Sequence, residues 1–131
     1  MKREQLLLEE YKEVNANMRH FSNMRLAVLT ISLALNGVLI QSLLNQLVKL
    51  IIIGLTLVGI ISTIVFLVFE NRVTFYYLFY RSRAKEIESI LQLAQYSRPI
   101  EKRIINATAA TNFLYWTLII FWIILIFYKL K

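Results

Sequence analysis

The sequence predicts an all-α integral membrane protein with three transmembrane helices. Three runs, at 26–48, 50–69 and 104–128, contain no charged side chain. An apolar bilayer core of ~30 Å needs about 20 helical residues at ~1.5 Å per residue, so each run is long enough to cross it. The 131-residue chain is 58% hydrophobic, with only three Gly and one Pro, which is a composition typical of long helices with few turns.

The first two helices are predicted to form a long antiparallel hairpin with coiled-coil-like cytoplasmic extensions, because no Gly or Pro separates the extensions from the spans. The segments are a cytoplasmic helix at 1–25 continuing into the first span, spans at 26–46 and 48–69, a cytoplasmic helix at 70–97, a helix restart at 98–110 and a third span at 111–129. The helices themselves would run over 2–44, 47–97 and 99–130. A connection of only a few residues near 44–46 makes the first two helices antiparallel neighbours.

Heptad spacing supports the two extensions. Apolar side chains recur at alternating steps of three and four, with charged residues on the other faces, which predicts helices that pack through this stripe. The second stripe continues to Ala94. The predicted interface residues are Leu7, Tyr11, Val14, Met18 and Phe21 in the first extension, and Val73, Tyr77, Tyr80, Ala84, Ile87 and Leu91 in the second.

The distribution of Lys and Arg predicts the orientation. Twelve of the fifteen lie in the two extensions and the restart, and the remaining three are Lys49, Lys129 and Lys131. The positive-inside rule therefore places the N-terminus in the cytoplasm and the C-terminus outside, in a multi-pass protein of the cell inner membrane. The net charge of +7 suits the anionic lipid of the inner leaflet, so we expect membrane lipid and no nucleic acid as the partner.

Polar residues within the spans allow two interpretations. They either hydrogen-bond between packed helices or line a narrow polar pore, and both roles require an oligomer or a tightly packed bundle. Tyr115, Trp116, Trp122 and Tyr128 are expected to contact lipid and anchor the third span. The polar candidates are Thr30, Ser32, Asn36, Gln41, Thr56 and Thr63.

A cytoplasmic basic cluster and the absence of reactive residues limit the function further. The cluster would contact lipid or receive an acidic ligand or partner. The chain has no Cys and a single His, His20, so catalytic residues, metal ligands and cofactors are not expected, and the protein is predicted not to be an enzyme. The basic residues are Arg81, Arg83, Lys85, Arg98, Lys102 and Arg103.

The order of these segments resembles the SLATT-type small helical membrane effectors of bacterial nucleotide-signalling, anti-phage immunity. The resemblance implies a protein that permeabilises the inner membrane when a nucleotide second messenger or a soluble signalling partner acts on its cytoplasmic side. The residues that carry it are Glu10, Tyr11, Lys12, Arg25, Arg83, Ala84, Glu88 and Tyr96.

Two functions from different classes remain open. The first is a homo-oligomeric effector that forms a gated pore or otherwise permeabilises the inner membrane in bacterial defence. The second is a non-conducting membrane anchor or assembly subunit that recruits a soluble partner through its cytoplasmic helices. A phage-type holin has a similar size, but its usual orientation opposes the charge distribution.

Overall fold

The computed structural model describes residues 2–97 and 107–131, which form three helices. They are α1 at Lys2–Leu44, α2 at Lys49–Leu91 and α3 at Ala107–Leu130. Each is long and apolar enough to cross a membrane. The all-helical fold and both predicted ends of α1 are therefore confirmed, whereas the predicted restart at Pro99 lies outside the described residues.

The connection between α1 and α2 is a tight turn, as its length predicted. The backbone N–H of Gln46 donates to the carbonyl of Leu43 over 3.1 Å, and α2 begins three residues later at Lys49. The hydrogen bond satisfies one of the carbonyls that the end of α1 leaves without a partner inside the helix. Such a short connection returns α2 alongside α1.

The end of α2 was predicted wrongly. The helix stops at Leu91 rather than at residue 97, so Ala94 belongs to the segment after the helix. Gln92 has a φ of 57°, and the N–H of Leu93 donates to the carbonyl of Glu88 over 3.0 Å. This is the hydrogen bond of a Schellman helix end, with Gln92 at the left-handed position that glycine usually occupies.

Met1–Leu26 and Asn71–Ile104 form one compact unit, which we call the amphipathic unit. Its core joins Tyr11, Val14 and Met18 of α1 to Ala84 and Ile87 of α2. The other predicted stripe residues also turn away from solvent: Leu7, Tyr77, Tyr80 and Leu91 pack against this core, Phe21 stacks on Tyr80, and Val73 is buried.

Ala27–Glu70 and Ile105–Lys131 form a second compact unit, which we call the apolar unit. All three helices contribute to its core, through Leu43, Ile52, Trp122 and Leu125. Large apolar side chains nevertheless remain exposed along each helix, for example Ile31, Val65 and Phe127. A surface this apolar would be unfavourable in water and is favourable in the hydrocarbon of a bilayer.

Candidate functional sites

Asn36 is the centre of a polar cluster that joins the three helices of the apolar unit. Its side chain is 1% exposed. Its Oδ1 accepts hydrogen bonds from the hydroxyl of Thr63 on α2 over 2.9 Å and from the indole N–H of Trp122 on α3 over 2.7 Å. Its Nδ2 donates to the carbonyl of Ser32 one turn earlier on α1, over 2.9 Å. Hydrogen bonding between helices, one of the two roles that the sequence left open, is what Asn36 does within this unit.

Gly59 lets α3 approach α2 beside this cluster. A methyl group at Gly59 would overlap the indole ring of Trp122, whereas one at Gly54 would meet nothing within 4 Å. Gly59 has an ordinary helical backbone conformation, with no positive φ. The absence of a side chain therefore matters because it leaves space, and not because of backbone freedom. Gly59 therefore provides the gap that the largest buried side chain of α3 fills.

The lipid-facing role expected for the aromatic residues of α3 holds for only part of the set. Trp116 and Tyr128 are exposed, but Trp122 and Tyr115 are fully buried, and the prediction was wrong for these two. Trp122 is buried because its N–H finds an acceptor in Asn36 and its ring lies against Gly59. Periodicity on a helix that is apolar all round does not indicate which face packs against protein.

The other polar candidates of the spans divide into two groups. Ser32 and Thr56 are buried in the apolar unit, and the Thr56 hydroxyl donates to the carbonyl of Ile52 over 2.9 Å. Thr30 and Gln41 are exposed, on the same line of α1 as Ala34 and Gly37. Buried and exposed polar residues thus lie on different faces of α1.

Glu88 is the centre of a second cluster, in the amphipathic unit. Its carboxylate is fully buried and accepts hydrogen bonds from the hydroxyl of Tyr11 over 2.8 Å and from that of Ser97 over 2.7 Å. The backbone N–H groups of Tyr96 and Ser97 donate to it over 2.8 and 2.9 Å. A negative charge near a helix C-terminus is unfavourable, and these donors compensate for that electrostatic cost. The donors from Tyr96 and Ser97 also fix the segment after α2 to the helix.

The charge of Glu88 is therefore stabilised. Burial alone would raise its pKa, but the hydrogen bonds from Ser97, Tyr11 and the two backbone N–H groups outweigh burial and lower the pKa from 4.5 to about 2. Burial and the hydrogen bond to Glu88 raise the pKa of the Tyr11 hydroxyl. The pair is thus a carboxylate and a neutral phenol near neutral pH.

The basic cluster is only partly available to a ligand. Nε and Nη2 of Arg83 lie 2.7 Å from Oε1 of Glu10, and Nη1 lies 3.0 Å from Oε2 of Glu86. Hydrogen bonds to Glu10 and Glu86 raise the pKa of Arg83 well above its usual value. Lys85 is exposed and Arg81 half-buried, while Arg98, Lys102 and Arg103 lie outside the described residues.

The sequence does not indicate that Glu88 and Glu70 are buried. Charged residues were expected on the faces away from the apolar stripe, and no signal in its own heptad distinguishes Glu88 from the exposed Glu86. Glu70 is 1% exposed at the end of the apolar unit, where it interacts electrostatically with Tyr115. In residues 2–97 and 107–131, no group of three or more acidic, His or Cys side chains lies together as a metal site would require.

No protein family model, curated protein or solved structure matches this chain.

Proposed function

We propose that the chain is a subunit of a homo-oligomer that permeabilises the inner membrane of a bacterium. In this oligomer, α1 of neighbouring copies would surround a conduction path through the membrane. The observation that carries the proposal is the exposed line of Thr30, Ala34, Gly37 and Gln41 on α1, which we call the small-polar face. Other exposed side chains of the same helix, such as Ile31, are large and apolar. The line is therefore unlike the rest of the surface that would meet lipid.

Small residues and an amide at membrane depth favour contact with protein or water over contact with lipid. Small side chains let helix backbones approach closely, and an amide in hydrocarbon needs a hydrogen-bonding partner. A methyl group on Gly37 would meet nothing within 4 Å, so the packing of a single copy makes no use of this glycine. If copies meet along this face, Ala34 and Gly37 would pack against the neighbouring helix. Thr30 and Gln41 would then be directed to a central path.

The internal packing of the apolar unit limits which residues of α1 could line such a path. Asn36, the polar residue nearest the middle of the first predicted span, has its hydrogen bonds within the unit and keeps the three helices together. The conduction path is therefore assigned to Thr30 and Gln41, and Asn36 holds the helix that presents them. No charged side chain lies on this path, so we expect weak selectivity between ions.

The amphipathic unit is proposed to lie on the cytoplasmic side, with the C-terminus outside, because it holds most of the Lys and Arg residues. Arg81 and Lys85 would contact the inner leaflet. Opening would follow from a ligand or partner acting on this side, as the resemblance to SLATT-type effectors implies.

The alternative function is a non-conducting anchor that recruits a soluble partner through the amphipathic unit. The observation that favours it is the same closed cluster at Asn36, since a polar residue used for packing leaves less polar surface for a pore. Under this alternative the small-polar face would pair copies without opening a path.

Single-channel recording in planar bilayers distinguishes the two functions. We expect discrete currents from the wild type, reduced at least severalfold by Gln41→Leu or Thr30→Val. Thr117→Val is the matched control, because Thr117 is exposed on α3 and its hydroxyl donates to the carbonyl of Phe113 in the same helix over 2.9 Å. A silent wild type that still forms a defined oligomer, with candidate nucleotides added, would favour the anchor.

A further inference from the structure

A groove of about 320 Å³ opens on the amphipathic unit, between α1 and the segment that follows α2. Lys12, Asn15 and Arg19 line it from α1, where their spacing of three and four places them on one helix face. Gln95 and Tyr96 line it from the other side. The lining thus contains two cations, two amides and a phenol, and no carboxylate.

The two cations of the groove have no neutralising carboxylate among the residues that the structure describes. Within residues 2–97 and 107–131, neither Lys12 nor Arg19 has an ion-pair partner, whereas Arg83 has two. Arg19 interacts electrostatically with Tyr96 across the groove. Lys12 and Arg19 lie side by side along one face of α1, where like charges repel, and an anion bound between them removes that repulsion.

The neutral groups add hydrogen-bond donors. Oε1 of Gln95 lies 3.3 Å from the hydroxyl of Tyr11, whose single hydrogen is directed mainly to Glu88. The side chain of Gln95 is exposed, so its amide N–H groups can donate to a ligand in the groove. The nearest buried charge of opposite sign, Glu88, is already surrounded by donors from Tyr11, Tyr96 and Ser97. It does not compete for the cations through any hydrogen bond in the described residues.

We propose that this groove binds a phosphoryl group. Lysine, arginine and the amide of Gln95 offer more donors than the two oxygens of a carboxylate can accept, and a phosphoryl group has three or four oxygens. At about 320 Å³, the groove has room for a group larger than one orthophosphate, such as a diphosphate or a sugar phosphate. The site does not depend on whether the protein conducts.

Binding would tie α1 to the segment after α2. Glu88 already holds Tyr96 and Ser97 from the α2 side, through their backbone N–H groups. A phosphoryl group between Arg19 and Gln95 would add a second connection, from the α1 side. The occupied groove would therefore protect the backbone of residues 93–97 from exchange with solvent.

The test uses inorganic pyrophosphate as the probe and the full chain in phosphatidylcholine nanodiscs. Calorimetry should give saturable binding to the wild type, and the double variant Lys12→Gln, Arg19→Gln should weaken it at least roughly tenfold, because it removes two charge-assisted contacts. The control Lys49→Gln, Lys131→Gln loses the same charge at exposed positions of the apolar unit and should change affinity less than about twofold. Absence of saturable binding, or equal weakening in both double variants, would overturn the proposal.

A second pair of nanodiscs identifies the source of the phosphoryl group. Discs with phosphatidate and discs with phosphatidylserine are matched for surface charge, and pyrophosphate is titrated into each. A lower affinity in phosphatidate discs alone, absent in the Lys12→Gln, Arg19→Gln variant, identifies a lipid headgroup as the occupant. Equal affinity in both discs, with the variant still weakened, identifies a soluble phosphate compound. If phosphatidate lowers the affinity equally in wild type and variant, the groove is not the site.

Discussion

The indole N–H of Trp122 donates a 2.7 Å hydrogen bond to Oδ1 of Asn36, and this contact joins α3 to α1 inside the apolar unit. The same oxygen accepts from Thr63 of α2. One buried amide therefore connects three helices, and a lost partner would leave a buried polar group without a hydrogen bond.

Trp122→Phe should reduce the stability of the folded protein while leaving its helices formed. The variant keeps an aromatic ring against Gly59 but removes the N–H that Asn36 accepts. Hydrogen bonds between membrane helices contribute about 1 kcal/mol, so we expect a loss of that size in the free energy of unfolding in mixed micelles. Trp116→Phe is the control, because Trp116 is exposed. Equal stability of the two variants would show that the hydrogen bond is not important.

Gly59→Ala should destabilise the apolar unit, because its methyl group overlaps the ring of Trp122. Overpacking of this kind costs about 1 to 3 kcal/mol. Gly54→Ala makes the same change on the same helix in open space, and should be neutral or raise stability by up to about 1 kcal/mol through helix propensity. Thermal unfolding followed by circular dichroism measures both, and a neutral Gly59→Ala would contradict the close approach of α2 and α3.

Stability of the amphipathic unit should fall in acid because of Glu88. Its pKa is about 2 in the folded state against 4.5 ordinarily, so its contribution is fully present above about pH 5 and is lost as the pH falls towards 2. Far-ultraviolet circular dichroism of the full chain, heated at pH 6 and at pH 3, follows the loss of helix. The wild type should melt at a lower temperature at pH 3.

Glu88→Gln should remove much of this pH dependence. It should also lower the free energy of unfolding at pH 6 by about 1 to 3 kcal/mol, because a neutral amide replaces a carboxylate that accepts hydrogen bonds from four donors. Glu86→Gln is the control, since Glu86 is exposed and, within the described part of the chain, forms an ion pair with Arg83 alone, so a loss under about 1 kcal/mol is expected. If Glu88→Gln and the wild type lose stability in parallel between pH 6 and 3, another group carries the acid sensitivity.

The sequence predicts those features that depend on length and periodicity. The bounds of α1, the tight turn at Gln46 and the burial of Val14 and Ile87 all follow from apolar runs and heptad spacing. The end of α2 does not follow, because Gln92 takes a left-handed conformation that glycine or asparagine usually signals.

The two polar clusters depend on contacts between residues far apart in the chain. Trp122 lies 86 residues from Asn36, and Glu88 lies 77 from Tyr11. Asn36 is recognisable in the sequence as a polar residue at mid-span, but its partners are not. Helices that are apolar on every side give no periodic signal of the face that packs, which is why the burial of Trp122 could not be predicted.

Cysteine cross-linking in membranes tests most directly whether copies of the protein meet along the small-polar face of α1. The chain has no native Cys, so Gly37→Cys introduces a single thiol at a position with open space around it. Ile124→Cys, on an exposed part of α3, is the matched control. The account predicts oxidised dimers through position 37 and little or none through position 124. Monomers alone at both positions, or equal cross-linking at both, would contradict it.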